Sequence, residues 1–356
     1  MNIRKIVGIL CIMMLSVSVL MTGCIKKDVT TEETQEEEPE PTEIPEVEKV
    51  HVGISMPDDQ DGFWVLSAKA LTSLMEDKGY VADVVYADDN SDTQDSQISE
   101  MITAGYACLI VAPVSPDGLS ISMKAASEAE IPVISYARMI SDTDAVSYYV
   151  GTDMEALAQA QAEDAVTALE EKNSTGSTYI QLLPAGNPAG DALLWETKLT
   201  EALESTYQDS NTTIFTGTNG DTYKNVIPDV IIAQTDALAL AQIKAYTQSS
   251  TDTLSMPVII GQGCKKDNIL ALLNDTQAVD YYNDPEIFAQ KTLPLVEGLI
   301  EDTDIEADAT ALYDNGARVV PANLCEAVRC TKDTYKKLLL DSGYYTSADL
   351  TAGAEE

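Results

Sequence analysis

The groups with which this 356-residue chain could do chemistry are 59 acidic residues, 6 cysteines, 2 tryptophans and 1 histidine. Carboxylates serve as general acids and bases, thiols as nucleophiles or metal ligands, and histidine as a proton shuttle. Their spacing supports none of these uses. There is no Gly-x-Ser-x-Gly elbow, no Gly-Lys-Ser/Thr phosphate loop, no His-Glu-x-x-His, and no Gly-x-Gly-x-x-Gly after a strand. His51 opens the first predicted strand, at the opposite end from the strand termini where ligands bind in open parallel sheets, and reads as structural. Without a Cys-x-x-Cys or a second histidine, no zinc site is predicted. A carboxylate glycosidase needs one defined acidic pair, and with so many carboxylates no pair stands out. The chain reads as non-enzymatic, without cofactor or metal.

The cysteines carry the remaining chemistry. Arg4 and Lys5 precede an uncharged stretch over 6–20, followed by Met21, Thr22 and Gly23 ahead of Cys24. This is the order of a secretory signal, and the apolar run is short for a membrane span of about 20 residues. The small residues before Cys24 resemble the lipobox of bacterial lipoproteins, with Met21 where Leu, Val or Ile is usual. That resemblance implies a signal peptide over 1–23, lipidation of Cys24, and a chain held on the extracytoplasmic face of the cell membrane. Cys11 would leave with the signal. Cys108 sits in an apolar run and reads as core, and Cys325 and Cys330 form a candidate disulfide pair permitted in an exported protein.

Residues 24–49 read as an acidic disordered linker. Between Thr30 and Glu48 there are nine Glu, three Pro and no Lys or Arg, a composition too polar and self-repelling to fold. The formal net charge of −38 becomes −40 once Arg4 and Lys5 are removed, which excludes nucleic acid and anionic lipid surfaces as partners, since both require clustered cations.

The body from residue 50 is long enough for two domains. Short apolar runs at 52–56, 81–86, 108–112 and 132–135 alternate with helical periodicity at 63–78, 93–104 and 118–129. The rhythm restarts after Gly151, with predicted helices at 154–171, 191–206, 237–246, 266–274 and 285–300, and strands at 178–183, 212–215, 230–233, 258–260 and 278–281. This predicts an α/β fold of two Rossmann-like lobes with parallel sheets and a cleft between them.

Several blocks are similar to a known family: Val-Gly-Ile-Ser-Met at 52–56, Phe63-Trp64, Ser-Gln-Ile-Ser-Glu-Met-Ile at 96–102, Tyr-Ala-Arg-Met-Ile at 136–140, Gly261-Gln262, and Asp-Ser-Gly-Tyr-Tyr at 341–345. Over nearly all of 50–350 the chain resembles xylose-binding and multiple-sugar-binding receptors of ABC importers, in the type I periplasmic binding protein superfamily. The resemblance implies a Venus-flytrap fold with a three-crossover hinge, the crossovers falling near Asp153, Asn283 and Asn315. It divides the body into a first lobe of 50–153 plus 284–314 and a second of 154–283 plus 315–356. It also implies a sugar or sugar-like ligand, delivered to an ABC permease and held by Phe63, Trp64, Tyr136, Arg138, Asp191, Tyr223, Asp236, Gln262 and Asn283. Aromatic faces would supply contact area, and charged or amide groups would orient hydroxyls.

This sequence departs from the pattern where sugar receptors place strong hydroxyl-binding groups. Phe63 replaces an arginine, Ala137 and Gly263 replace aspartates, Thr235 an asparagine, and Asn283 a lysine. These replacements imply a retained scaffold with a changed, less polar or differently substituted ligand. A ligand-responsive sensor subunit, docking on a membrane receptor or kinase, is the alternative that the sequence leaves open.

Overall fold

The computed structural model describes residues 49–172, 176–185, 191–207, 211–217, 226–248, 256–303, 305 and 309–351. Cys24, the signal, nearly all of the acidic linker and Tyr223 lie outside these residues.

Strand β1 (His51–Met56), helix α1 (Gly62–Asp77), β2 (Val81–Tyr86), α2 (Ser91–Thr103), β3 (Cys108–Val111), α3 (Ser120–Glu128), β4 (Val133–Tyr136) and β5 (Val146–Thr152) build the first lobe. The chain then enters the second lobe through α4 (Met154–Glu171), β6 (Thr178–Leu183), α5 (Asp191–Thr206), β7 (Thr212–Thr216), β8 (Val230–Ala233), α6 (Asp236–Gln248), β9 (Val258–Ile260), α7 (Lys266–Leu273) and β10 (Asp280–Tyr282). It returns through α8 (Pro285–Ile300), β11 (Ala311–Asp314) and β12 (Val319–Cys325), and ends in the second lobe with β13 (Val328–Cys330), a π-helical turn (Lys336–Leu340) and α9 (Ser347–Thr351).

The first lobe is a seven-stranded sheet in the order β11-β12-β5-β4-β3-β1-β2, parallel except for the antiparallel edge strand β11. The second contains a parallel sheet in the order β7-β6-β8-β9 and an antiparallel β10-β13 pair, linked to β9 by an Ile260–Val279 bridge. Strands β3, β4 and β8 are wholly buried, as continuous apolar runs in helix-covered parallel sheets must be. One face of the seven-stranded sheet packs on α1 and α8 through Leu71, Met75, Phe288 and Val296. The other packs on α2 and α3 through Ile98, Met101 and Met123. In the second lobe the fully buried Trp195 of α5 anchors the α4–α5 face, its Nε1 donating to Gln161 Oε1 at 2.8 Å. Burying each such large side chain contributes about 1.5–3 kcal/mol.

Three crossovers join the lobes, and they are tied to one another. Thr152 Oγ1 donates to Asn283 Oδ1 at 3.3 Å, and Asp153 N donates to Cys325 O at 2.8 Å. Asp153 also caps α4, and Asp284 caps α8 ahead of Pro285, each carboxylate accepting from two backbone amides of the first turn.

Two expectations are corrected. The third crossover does not lie near Asn315: β12 runs parallel beside β5, so 315–325 belongs to the first lobe and the chain crosses between Cys325 and Val328. Cys325 and Cys330 are not bridged. Cys325 lies in the first-lobe core that also holds Cys108, whereas Cys330 lies with Cys264 in a separate cluster, and all four thiols are free and buried.

Candidate functional site

The carboxyl ends of the strands of both sheets converge on a cleft, as open parallel sheets require. Its cavity has a volume of about 1420 Å³ and is lined from both lobes. The first lobe contributes Val114, Arg138 and Met139, and the second Met154, Gln159 and Gln234.

Arg138 is launched by a tight turn after β4. Ala137 adopts φ +60°, and Arg138 N donates to Tyr136 O at 2.7 Å. Ser135 Oγ locks the turn by donating to Arg138 O at 2.6 Å and accepting from Ile140 N at 2.9 Å. A left-handed backbone at alanine costs on the order of 1 kcal/mol, a strain that aspartate tolerates better. The guanidinium carbon of Arg138 lies 4.9 Å from the centroid of the Trp64 ring, and Nη1 donates to Pro113 O at 3.2 Å. A planar cation on an aromatic face, with its fork at the cleft, suits bidentate recognition of vicinal oxygens.

The aromatic residues divide by burial. Trp64, only 6 % exposed, belongs to the first-lobe core and its ring lies beneath Arg138. Phe63 is half-buried and packs edge-on against Trp64 at 4.9 Å and Phe288 at 5.4 Å. Tyr136 is fully buried, 5.7 Å from Phe288, and packs in the core instead of lining the cleft. Burial pushes its hydroxyl pKa up.

On the second lobe, Asp236 opens α6 with its carboxylate turned inward. Oδ2 accepts from Lys265 N at 2.5 Å, and the side chain bonds with Asp280, itself fully buried. Burial raises Asp280 well above the ordinary carboxylate range and Asp236 to about 6, so Asp280 holds the proton that Asp236 accepts. The loop Gly261–Lys265 closes over this pair. A β-carbon at Gly263, where φ is +135°, would lie 2.8 Å from Asp236 Oδ2, so an aspartate has no room at this position. The site role of Asp236 is thereby indirect: it shapes the loop that carries Gln262. Gln262 is half-buried, and its Oε1 is a buried acceptor with no hydrogen-bond partner among the described residues. Asn283 sits in the second crossover against Thr152. Asp191 begins α5, and its side chain lies outside the described set, as does Tyr223.

Sequence reasoning missed Gln234, the residue directly after β8, whose Oε1 accepts from Ala185 N at 2.7 Å and so pins two loops of the second lobe together at the cleft. It also missed Lys198 of α5, which lines the cleft and pairs with Glu155 at 3.5 Å and Glu201 at 3.4 Å. Gln234 was recoverable, since it directly follows a strand, where ligands bind in open parallel sheets. Lys198 lies two turns into a helix and carried no signal.

The chain matches the profile of the periplasmic binding protein domain family over residues 52–303. It is 27% identical over 328 residues to the multiple sugar-binding periplasmic receptor of Rhizobium radiobacter, covering 85% of this chain and 93% of that one. It is 26% identical over 320 residues to the D-xylose-binding periplasmic protein of Escherichia coli strain K12, covering 85% and 93%. Among solved structures it is similar to an ABC transporter solute binding protein from Clostridium phytofermentans with bound β-D-glucose, at 26% identity and a TM-score of 0.72, covering 84% of this chain and 99% of that one.

Proposed function

Because the chain belongs to the periplasmic binding protein domain family, whose members are solute-binding receptors and not enzymes, we propose that it captures a sugar in its interlobe cleft and delivers it to an ABC importer. The observation that carries this reading is the Arg138 guanidinium, stacked on Trp64 and presented at a cleft lined from both lobes. Bound β-D-glucose in the Clostridium phytofermentans structure supports the ligand class. Arg138 and Gln234 bond hydroxyls from opposite lobes, and Met139 and Met154, which also line the cleft, cover apolar ring faces. Closure on the ligand presents both lobes together to the permease.

Thermal unfolding with a panel of pentoses, hexoses and sugar acids tests this reading. A sugar at about 100 times its Kd stabilises the folded chain by roughly 2.7 kcal/mol, a shift of several degrees. No shift with any sugar overturns the ligand class.

The lipobox-like stretch supports a mature chain anchored through lipid on Cys24, its body standing off the membrane on the acidic linker. Cys24→Ser then releases the protein into the medium of intact cells lacking an outer membrane; finding the unaltered chain free in that medium refutes the anchor.

A further inference from the structure

The lobes meet at one edge through a contact that requires no ligand. On the first lobe, the loop between β1 and α1 is stiffened by Asp58, whose Oδ1 accepts from Gln60 N and Asp61 N, both at 2.7 Å. Asp61 then divides its carboxylate. Oδ1 caps α1 by accepting from Phe63 N at 3.0 Å, and Oδ2 lies 3.3 Å from Lys265 Nζ on the second lobe. Lys265 is equally constrained, because its backbone N donates to Asp236 Oδ2. Beside the pair, Tyr344 from the C-terminal segment packs on Gly62, where a β-carbon would lie 3.3 Å from its ring. Tyr344 stacks edge-on against Tyr282 at 5.2 Å and Tyr345 at 5.0 Å, and Tyr345 donates to Cys264 O at 3.0 Å. Two rigid loops, one from each lobe, therefore face each other with opposite charges.

We propose that Asp61 and Lys265 form an electrostatic latch between the lobes that sets the open–closed equilibrium before ligand arrives. They are positioning residues for ligand capture: Asp61 fixes the start of the helix carrying Phe63 and Trp64, and Lys265 fixes the loop carrying Gln262. The Lys265 side chain is 64 % exposed and that of Asp61 25 %, so the latch is weak and salt-sensitive. Such a pair shifts a two-state ratio by about two- to fivefold, enough to adjust affinity while leaving the cleft free to open.

The test needs no sugar and so stands apart from the ligand class. Spin labels are placed through Ile121→Cys on the first lobe and Leu193→Cys on the second, both exposed, in a full chain carrying Cys11→Ser and Cys24→Ser; Cys108, Cys264, Cys325 and Cys330 are buried. Pulsed electron spin resonance then reads the interlobe distance distribution. Asn retains the capping oxygen, so Asp61→Asn isolates the charge. The expected result is a closed-to-open ratio lowered about two- to fivefold by Asp61→Asn and by Lys265→Met, with no further loss in the double variant. Raising NaCl from 20 mM to 500 mM should open the parent chain and leave the variants unchanged. Unchanged distributions in the single variants, or additive effects in the double, overturn the latch. So does an equal shift from Lys124→Met, whose only ion pair among the described residues lies within α3, because that assigns the effect to net charge.

Discussion

Replacing Asp236 with asparagine should raise the stability relative to the parent by about 2 kcal/mol more at pH 8 than at pH 4.5. Asp236 is 2 % exposed, and burial raises its pKa from 3.8 to about 6 beside the protonated Asp280. In the unfolded chain the group ionises near 3.8, and in the folded chain near 6. Between these values the folded state binds the extra proton, so stability falls as pH rises through the window, and above about 6 the full penalty is present. The shift of roughly two pKa units corresponds to about 3 kcal/mol. Burial also holds Asp280 well above the ordinary carboxylate range. In Asp236→Asn the amide oxygen still accepts from Lys265 N, while the amide nitrogen is a donor and no longer accepts from Asp280; that lost bond weighs equally at both pH values, so the change between them reads the buried charge. The assay is thermal unfolding of both proteins at pH 4.5 and pH 8. Taking the difference between the two proteins at each pH removes the contribution of the other carboxylates. The difference in Tm between variant and parent is expected to move by several degrees in the variant's favour from pH 4.5 to pH 8. A difference between parent and variant that does not change with pH, or one that moves in the parent's favour from pH 4.5 to pH 8, refutes the shared-proton reading.

Three further outcomes follow from the site and its frame. Arg138→Ala should weaken sugar binding about 10- to 100-fold by calorimetry, the worth of a charged hydrogen bond with its partner left in place; a change below twofold removes Arg138 from the site. Ala137→Gly, by relieving φ +60°, should gain up to about 1 kcal/mol in chemical denaturation, and a loss would show that the turn is not strained. Thiol titration of residues 50–356, denatured without reductant, should count all four cysteines as free, and a count of two would indicate a bridge.

Much of the fold was legible because parallel strands buried on both faces are short apolar runs bounded by turns. Strands β3, β4 and β8 were legible for that reason. Strand β5 was not, since Ser147, Tyr148 and Tyr149 interrupt its apolar run, although it lies between β4 and β12 and leads into the first crossover. Strand β12 was hidden by Pro321 and Asn323, because proline argues against a strand inside a sheet. Missing β12 is what misplaced the third crossover. At the site, Arg138 was legible from its position after β4, whereas the inward turn of Asp236 was not. That turn depends on Gly261 and Gly263 leaving room for the carboxylate, and on Asp280, 44 residues downstream, which no local pattern associates with Asp236.

The mutual bonding of the crossovers constrains how the molecule moves. Thr152 holds Asn283 and Asp153 holds Cys325, so the three connections cannot slide past one another without breaking those bonds. Asp153 and Asp284 cap rigid helices immediately beyond the first two, which confines bending there to a few backbone dihedrals. Opening is then a rotation about a narrow axis that leaves both apolar cores intact. The free energy of opening and the free energy of unfolding are thereby largely separable quantities. Substitutions in the cores change how long the fold survives, whereas substitutions at the crossovers and the facing edges change how often the cleft is open. A lineage can therefore alter the ligand without re-solving the fold.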